Sequence, residues 1–515
     1  MNSYSVPSIL LACGSLVCFL SLATLRARRV VSRPVYLSVL ALLALLALTV
    51  HLGVLQRDTD NGELYLREPP MHVRELYHYY LGTKYFDELG YTGLYEATVI
   101  ADQRDDMGHF KGSDVVRDLS NYDGIGRVDV VQRGQEIMAR FSAERWNLFR
   151  EDVEMFRVAV GRETWQEQNW LTDHGYNGSP VVTALLGTLA NLDPIDSEGF
   201  LRMARWFDLA LVGVMLLVVA RLFGLELGLT LAFFWFANPF NDYNFIGGSY
   251  LRYPFACSLA LAFAFHGRGR GLASGALLAL STMLRIFPVV FVGAVAVKHL
   301  MGRGRWEALR AQRGFYLAFA ATCALLLAGT WHIQTPSGGS AWPAFAGNMR
   351  LHASSYGQNQ VGLSVPLLFS SEDAASEGPL YDEAAARAER ARGRRVAIWS
   401  ATLVALAGIV LAARGMVARH CLFLGFALLF VLQPAAHYYF LILGLTPLVF
   451  RRDRAVEALL AFGFLLQLIA FTPRLFGSLG AVCAVASVLL GLLLTAVITL
   501  RSVSPAPPSP APSAP

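Results

Sequence analysis

The sequence of 515 residues is poor in charge, with only 16% Asp, Glu, Lys and Arg, against about 25% in ordinary soluble proteins. Apolar residues make up 55%, and the mean hydropathy is +0.44. Many runs approach the roughly 20 apolar residues that span a bilayer. These values exclude a soluble enzyme, a disordered chain and a nucleic-acid-binding domain. We interpret the net charge of +5 as a determinant of membrane orientation, with no nucleic-acid partner.

Cysteine is scarce, and its placement excludes further kinds of site. The long polar loops contain none, so no loop disulfide can form, and no spacing fits a zinc site. We interpret all six as small side chains of the apolar core: Cys13, Cys18, Cys257, Cys323, Cys421 and Cys483.

The first apolar run lacks a preceding basic residue, whereas Arg26, Arg28 and Arg29 follow it. This order predicts an uncleaved helix with its N-terminus outside, and not a signal peptide. Other basic clusters, near 266–270, 298–313, 414–419 and 451–454, are assigned to the cytoplasm on the same bias. If the host is a bacterium, the protein is expected in the inner membrane with its site on the extracytoplasmic side.

The hydrophobic pattern predicts an all-α polytopic membrane protein with about 11–13 transmembrane helices. The stretch 272–297 fits one span or two short ones meeting near Arg285. The parity of crossings fails around 180–225 unless a short segment does not cross or Arg202 and Arg205 lie outside. The clear segments lie near 5–25, 34–55, 206–222, 226–240, 253–266, 315–333, 396–413, 420–434, 437–450, 455–472 and 479–500, and a less clear one near 180–192.

These segments divide the chain into membrane helices and two outer loops. A passive connector would be short, so the length of the first loop indicates a function. Its Tyr-rich stretches predict short amphipathic helices with aromatic faces in the head groups, and the basic run 387–395 predicts contact with anionic lipids. The predicted regions are 1–55 (helices), 56–178 (large outer loop), 179–334 (helices), 335–395 (second outer loop), 396–501 (helices) and 502–515 (disordered Pro-rich tail).

The stretch MHVRELYHYY directly follows the second helix in the outer loop. In a helix, Glu75 and Tyr79 share one face, as do Arg74 and His78. A carboxylate beside the membrane can act as a general base toward a sugar hydroxyl. A solvated interfacial helix is the alternative on spacing alone.

Two polar stretches mark helix mouths. LTDHGYNGSP offers Asp173, His174, Tyr176 and Asn177 as groups that bind a sugar, with a capped turn as the alternative. NPFNDYNFIGGSYLRYP has Arg252 near its end. Such a break occurs at membrane depth only where it lines a cavity or meets water. An ordinary outer loop would look the same.

A single Arg285 lies within a continuous apolar stretch, where a charge costs about 2.5–3.5 kcal/mol. A lipid-linked phosphate suits it, because Arg grips phosphate in a fork; snorkelling to the head groups is the alternative. DQRDD, at 102–106, could bind a divalent cation, but a solvated acidic turn is favoured and no metal is expected.

Taken together, these motifs resemble the polyprenol-phosphate-sugar-dependent mannosyltransferases of glycosyltransferase family 87, which have a GT-C fold. The resemblance covers 72–440 and rests on the order of the motifs. It consists of an acidic residue and a Tyr pair, a Gly and a Leu-Tyr pair, a basic residue before a Pro turn, an Asn-Gln pair and a Pro followed by His-aromatic: Glu75, Tyr79, Tyr80, Gly82, Leu94, Tyr95, Arg285, Phe287, Pro288, Asn359, Gln360, Pro434, His437 and Tyr438. The family usually has Asp where this chain has Glu75, and one Pro of its Tyr-Pro-Pro helix start is missing from YNGSP.

The resemblance implies an inverting sugar transfer, of mannose in the family's manner, from polyprenyl phosphate to a glycolipid, glycan or protein hydroxyl, without an obligatory metal or other cofactor. Glu75 is the expected catalytic base. The expected donor phosphate and sugar contacts are Arg285, His437, His78, Tyr79, Tyr80, Arg252, Asn359, Gln360, Tyr176 and Asn177. Two other classes stay open: a transporter or flippase of a lipid-linked saccharide, which the lack of an internal repeat disfavours, and a membrane scaffold.

Overall fold

The computed structural model describes residues 6–53, 55–57, 64–66, 71–104, 115–161, 165, 170–192, 197–250, 252–301, 305–370, 380–471 and 478–503. Helices dominate these residues. Five helices are long and apolar enough to cross a membrane, and a sixth candidate is a pair bent by 60°. The chain is therefore an all-α membrane protein, as the sequence predicted. The Pro-rich tail beyond 503 and the disorder predicted for it lie outside the described residues.

The long helices account for the clearest apolar segments. They are Val6–Ala27, Arg33–Leu52, Ser197–Phe223, Arg395–Gly415 and Leu479–Val503, and the bent pair is Arg305–Ala311 with Arg313–Gly329. Shorter apolar elements match the remaining segments: Pro180–Ala190, Leu225–Phe236, Tyr253–His266, Gly271–Leu284, Val289–Met301, Ala418–Leu432, His437–Val449 and Arg454–Ala470. Helix length alone does not fix the number of crossings, so the count of about 11–13 stays a prediction.

The ambiguous stretch 272–297 forms two helices. Gly271–Leu284 ends where Arg285 adopts an extended backbone (φ −145°, ψ 121°), and Val289–Met301 follows Pro288. Proline disfavours a helical conformation at the residue before it, which explains the break. The interruption turns Arg285 out of the helical ladder and places it at a helix mouth.

The basic clusters gather at one end of the helix bundle. Arg268 and Arg451 both lie over the Phe223 ring, with the guanidinium carbon 5.6 and 4.1 Å from its centroid. Lys298 donates to the carbonyl of Arg414 at 3.0 Å, and Arg501 pairs with Asp453. Arg454 adds an ion pair with Glu226 at 2.6 Å. This end, which we name the basic end, is the one that the sequence assigns to the cytoplasm; the assignment of sides stays a prediction.

Two helices connect the basic end with the opposite end of the bundle, at which Glu75 lies. Helix Arg33–Leu52 starts beside Arg454, which donates to the Tyr36 hydroxyl at 2.8 Å. It finishes at His51, whose Nε2 is 3.2 Å from the Tyr253 hydroxyl. Tyr253 begins the helix that returns to His266. The predicted outer loops therefore lie on the face of the bundle opposite the basic clusters.

The first outer loop folds into a helical domain with its own aromatic core. The Tyr77 ring packs edge-on against Phe156, Trp165 and Trp170, each with centroids 5.8 Å apart. The predicted insertion of the Tyr-rich faces into head groups is wrong, because these rings are buried in the domain core. Its helical elements are Val73–Leu76, Tyr77–Leu81 (π), Gly82–Lys84, Phe86–Leu89, Leu94–Arg104, Arg127–Met138, Ala143–Val160 and Trp170–Thr172 (3₁₀).

The second outer loop packs onto this domain and onto the bundle. Arg387 donates to the Gly357 carbonyl and Arg390 to the Leu368 carbonyl, both at 2.8 Å. Part of the basic run therefore holds the loop together, and its predicted contact with lipid head groups stays untested. The loop contains helices Ala341–Ser354, Val365–Leu368 and Leu380–Gly393. Short antiparallel strands pair Leu55–Arg57 with Leu64–Leu66, Val116–Arg117 with Gly124–Ile125, and Gln360–Val361 with Ala435–Ala436.

Helix Pro180–Ala190, in the stretch where the parity of crossings fails, has contacts at both ends with the side of the outer domain. At its start, Ser179 donates to the carbonyl of Met283, next to the helix mouth of Arg285. At its end, the Asn191 side chain accepts from Arg145 of the outer domain at 3.0 Å. Both ends contact the same side, so this short helix does not traverse the bundle. Helix Ser197–Phe223 then starts on that side, which places Arg202 and Arg205 there.

We expect Leu192→Cys, just after this helix, to react with a membrane-impermeant maleimide from the same side as Asp129→Cys in the outer domain. Both positions are exposed. Glu307→Cys, near the basic end, should react only from the other side, and the unsubstituted protein gives the background. Labelling of Leu192→Cys together with Glu307→Cys would show that Pro180–Ala190 crosses the membrane.

Candidate functional site

An ion pair between the outer domain and the bundle forms the centre of the site. Arg252 Nη2 donates to Glu75 Oε1 at 2.6 Å. The backbone sets this geometry, because the His72 N–H donates to the Gly247 carbonyl at 3.1 Å and His72 Nδ1 accepts from the Glu75 N–H at 3.0 Å. The predicted base thus meets the arginine at the end of the predicted polar break.

The pair is buried and incompletely satisfied. The Arg252 side chain is 3% exposed and that of Glu75 is 18% exposed. Glu75 Oε2, Arg252 Nε and Nη1, and Arg285 Nε have no hydrogen-bond partner among the described residues. Buried charged donors are costly when they are unpaired. The centre therefore has free donors for an anion and a free carboxylate oxygen for a hydroxyl.

Arg285 reaches the same centre from the opposite helix mouth. Its Nη1 donates to the Asn177 side-chain oxygen at 3.3 Å, which also accepts from the Tyr79 hydroxyl. Its guanidinium carbon lies 5.3 Å from the centroid of the Tyr79 ring and 6.0 Å from that of Tyr439. The structure thus brings Arg285, Tyr79 and Asn177 together, three residues that the sequence proposed separately.

The electrostatic field of the centre keeps Glu75 ionised. Burial raises the pKa of the carboxyl, but the charge of Arg252, that of His72 when it is protonated, and that of Arg285 hold it below its ordinary value. Burial lowers the pKa of His72 to about 4, so at pH 7 His72 is neutral and only the two arginines supply positive charge. With two guanidinium groups beside one carboxylate, this centre carries an excess of positive charge.

Aromatic rings complete the site on the bundle side. The guanidinium carbon of Arg252 lies 3.7 Å from the centroid of the Tyr438 ring. The neighbouring His437 donates its N–H to the Asn359 carbonyl at 2.8 Å, and Gln360 donates to the Ser355 carbonyl at 3.1 Å. Asn359, Gln360 and His437 thus form the strand junction that positions Tyr438 over Arg252.

Three further predicted sugar contacts each form a hydrogen bond with another side chain, and their predicted role stays a prediction. His78 Nε2 is 2.9 Å from the Tyr95 hydroxyl, and Tyr80 accepts from Lys84 at 2.8 Å. The Tyr176 hydroxyl is 2.7 Å from Thr183 Oγ1. All three side chains are at most 3% exposed, as is Tyr79, but Tyr79 differs from them in its contacts with Asn177 and Arg285. Sequence reasoning could not separate them from Tyr79, since all belong to the same motifs.

The acidic stretch DQRDD offers little support for a cation site. Asp102 pairs with Arg157 at 3.2 Å, while Asp105 and Asp106 lie outside the described residues. No group of three or more His, Cys, Asp or Glu in the described part of the chain is placed to hold a metal ion.

A second polar cluster was only half visible in the sequence. His174 Nδ1 lies 3.2 Å from Asp173 Oδ1, and His174 Nε2 lies 2.8 Å from Ser355 Oγ. The rings of His352 and Tyr122 stand edge-on to His174, each with centroids 4.9 Å apart. His352 and Ser355 lie in the outer-loop stretch that ends in the predicted Asn359 and Gln360 but had no predicted role of their own, and Tyr122 belongs to no motif.

Successive contacts join both clusters into a ring. Glu75 forms an ion pair with Arg252, and Arg252 lies over the ring of Tyr438. The residue before Tyr438 is His437, which donates to the carbonyl of Asn359. Gln360 holds Ser355, which contacts His174 beside Asp173. The turn that follows returns through Asn177 to Arg285 and Tyr79, four residues after Glu75. These contacts link the outer domain to the bundle through both clusters.

Comparison of the chain with protein-family models, with curated proteins and with solved structures finds no match. The resemblance to glycosyltransferase family 87 therefore rests on the motifs, and the assignment of function rests on the chemistry of the ring.

We expect Arg252→Gln to raise the pKa of Glu75, because burial remains while one of the opposing charges is lost; His72, Arg285 and Asp173 still face the carboxyl. The infrared carboxylic-acid band that disappears in Glu75→Gln reports this titration. The midpoint should move to higher pH in Arg252→Gln and stay in place in Arg310→Gln, an exposed position near the basic end. An unchanged midpoint in Arg252→Gln would show that Arg252 does not tune Glu75.

Proposed function

We propose that this protein is a membrane glycosyltransferase that moves a sugar, mannose being the first candidate, from polyprenyl phosphate to an acceptor hydroxyl at the face of the membrane that carries the outer loops. One observation carries the proposal: two arginines with unused donors flank a carboxylate with an unused oxygen, where the outer domain meets the apolar bundle. This combination offers a phosphate site and a base side by side.

The lipid character of the donor follows from where the centre lies. The apolar helices Tyr253–His266 and Gly271–Leu284 carry Arg252 and Arg285 at their mouths. A prenyl chain in the bilayer delivers its phosphate to that depth. A guanidinium group binds phosphate oxygens through two parallel hydrogen bonds, and such charge-assisted bonds are about twice as strong as neutral ones.

The proposed reaction is a single displacement. The carboxylate of Glu75 takes the proton of the acceptor hydroxyl, and the hydroxyl oxygen forms a bond to the anomeric carbon. The bond from that carbon to the phosphate oxygen breaks, and polyprenyl phosphate leaves with the electron pair. Arg252 and Arg285 stabilise the negative charge that grows on the leaving phosphate, which is the electrostatic role that often dominates catalysis. Attack opposite the leaving group inverts the anomeric configuration.

The field at Glu75 suits this order of events. The carboxyl is ionised before the acceptor binds, because its pKa lies below the ordinary value. An anionic phosphate between the arginines offsets their positive charge and so raises the proton affinity of Glu75. The base therefore becomes stronger when the donor is in place, and its activity is lost as the pH falls through its pKa.

We expect Glu75→Gln to lower sugar transfer by at least about 100-fold, since positioned general bases contribute about 10²–10⁴-fold. Membranes that contain the protein are incubated with radiolabelled polyprenyl-phosphate mannose, and label in the acceptor fraction is counted. Glu136→Gln, on an exposed face of helix Arg127–Met138, is the matched control and should transfer at the normal rate.

Equal transfer by Glu75→Gln and by the unsubstituted protein would overturn the role of Glu75. Absence of transfer by the unsubstituted protein, together with movement of the same donor across liposome membranes, would favour the alternative of a transporter or flippase.

A further inference from the structure

The cluster of Asp173, His174 and Ser355 is not used by the displacement. It lies across the ring from Arg252, on the turn that ends the first outer loop and at the end of helix Ala341–Ser354. Its side chains are partly open to solvent, since that of Asp173 is 38% exposed and that of His174 is 26% exposed. The cluster therefore presents a carboxylate and a hydroxyl to a ligand, with the imidazole between them.

Hydrogen bonds and ring contacts hold the side chains of this cluster in place. Asp173 Oδ1 accepts the His174 N–H at 2.8 Å as well as facing its Nδ1. The Gln360 side chain holds the Ser355 carbonyl. The Tyr122 and His352 rings stand edge-on to the His174 ring. Since the groups are preorganised before any ligand arrives, little ordering entropy is lost when a ligand binds.

We propose that Asp173, His174 and Ser355 form a binding subsite for the sugar ring of the acceptor, so that its reactive hydroxyl lies toward Glu75; this inference rests on the proposed function. The two oxygens of the Asp173 carboxylate can accept from paired hydroxyls of a sugar, and the Ser355 hydroxyl can donate or accept a bond. Both ring nitrogens of His174 already face Asp173 and Ser355, so His174 holds these two groups in position.

The position of the cluster on the outer loops favours binding of the acceptor sugar over binding of the donor sugar. The donor phosphate belongs to Arg252 and Arg285, at the mouths of apolar helices, because its prenyl chain stays in the bilayer. Asp173 and Ser355 lie on the two outer loops, which face the aqueous side from which a glycan or glycolipid head group arrives. Glu75 is between these regions in the ring, where the acceptor hydroxyl must give up its proton.

The charges agree with this division. Asp173 contributes negative charge that opposes the arginines at Glu75, so this side of the ring disfavours phosphate. Burial raises the pKa of Asp173, but its contact with His174 and the nearby His78 and Arg74 lower it well below the ordinary value. Asp173 is therefore an ionised hydrogen-bond acceptor for sugar hydroxyls.

The test is saturation-transfer NMR on the detergent-solubilised full chain with methyl α-D-mannopyranoside. The unsubstituted protein should transfer saturation to the ring protons, and Asp173→Asn and His174→Gln should reduce the transfer at least about fivefold, since each removes a bond to a charged or positioned group. Asp129→Asn, an exposed Asp of the same domain, should behave as the unsubstituted protein. Excess polyprenyl-phosphate mannose should leave the signal in place.

Ser355→Ala is the milder variant if size-exclusion profiles show that Asp173→Asn does not fold, and it should also reduce the signal. Absence of saturation transfer with the unsubstituted protein, or equal transfer in all variants, would overturn the subsite. Displacement of the methyl mannoside by the donor would overturn its assignment to the acceptor. The measurement needs no turnover, so a failed transfer assay and a failed subsite give different results.

Discussion

The site depends on an unbalanced set of buried charges. Glu75 and Arg252 join the outer domain to the bundle at 2.6 Å, and Arg285 adds a second cation at the same centre. Breaking a buried pair costs about 3–5 kcal/mol, because the remaining charge has no partner. The pair therefore fixes the position of the outer domain. Two hydrogen-bond donors of Arg252 have no partner among the described residues, and an anion would supply one.

The membrane bundle explains why this charge can be kept. A prolyl break at Pro288 and the polar stretch before Tyr253 bring two arginines to helix mouths on one face, while the other basic clusters gather at the basic end. Tyr79 of the outer domain and Tyr438 of the bundle then cover the arginines. Burial strengthens the field of each charge, which favours both phosphate binding and proton transfer.

Much of this was predictable because it depends on local patterns. Apolar runs predicted the helices, and the lone Arg285 predicted a polar role, while the choice between one span and two short ones at 272–297 stayed open. Glu75, Arg252 and Asn177 were selected for their chemistry at helix mouths. The pairing of Glu75 with Arg252 was not predictable, because 177 residues separate them. The motif positions His78, Tyr80 and Tyr176 could not be distinguished from Tyr79, because the contact of Tyr79 with Asn177 and Arg285 depends on the tertiary packing. Ser355, four residues before Asn359, and Tyr122 had no predicted role, because their contacts with His174 form only in the folded chain.

The central claim is that the two arginines beside Glu75 hold the phosphate of a lipid-linked sugar. The most direct measurement is an electron cryo-microscopy structure of the protein with polyprenyl phosphate, the leaving product, in lipid nanodiscs. The account predicts the phosphate between Arg252 and Arg285, within hydrogen-bond distance of both, with the prenyl chain running into the bundle. A phosphate bound at the basic end beside Arg268 and Arg451, with the centre around Glu75 empty, would contradict it.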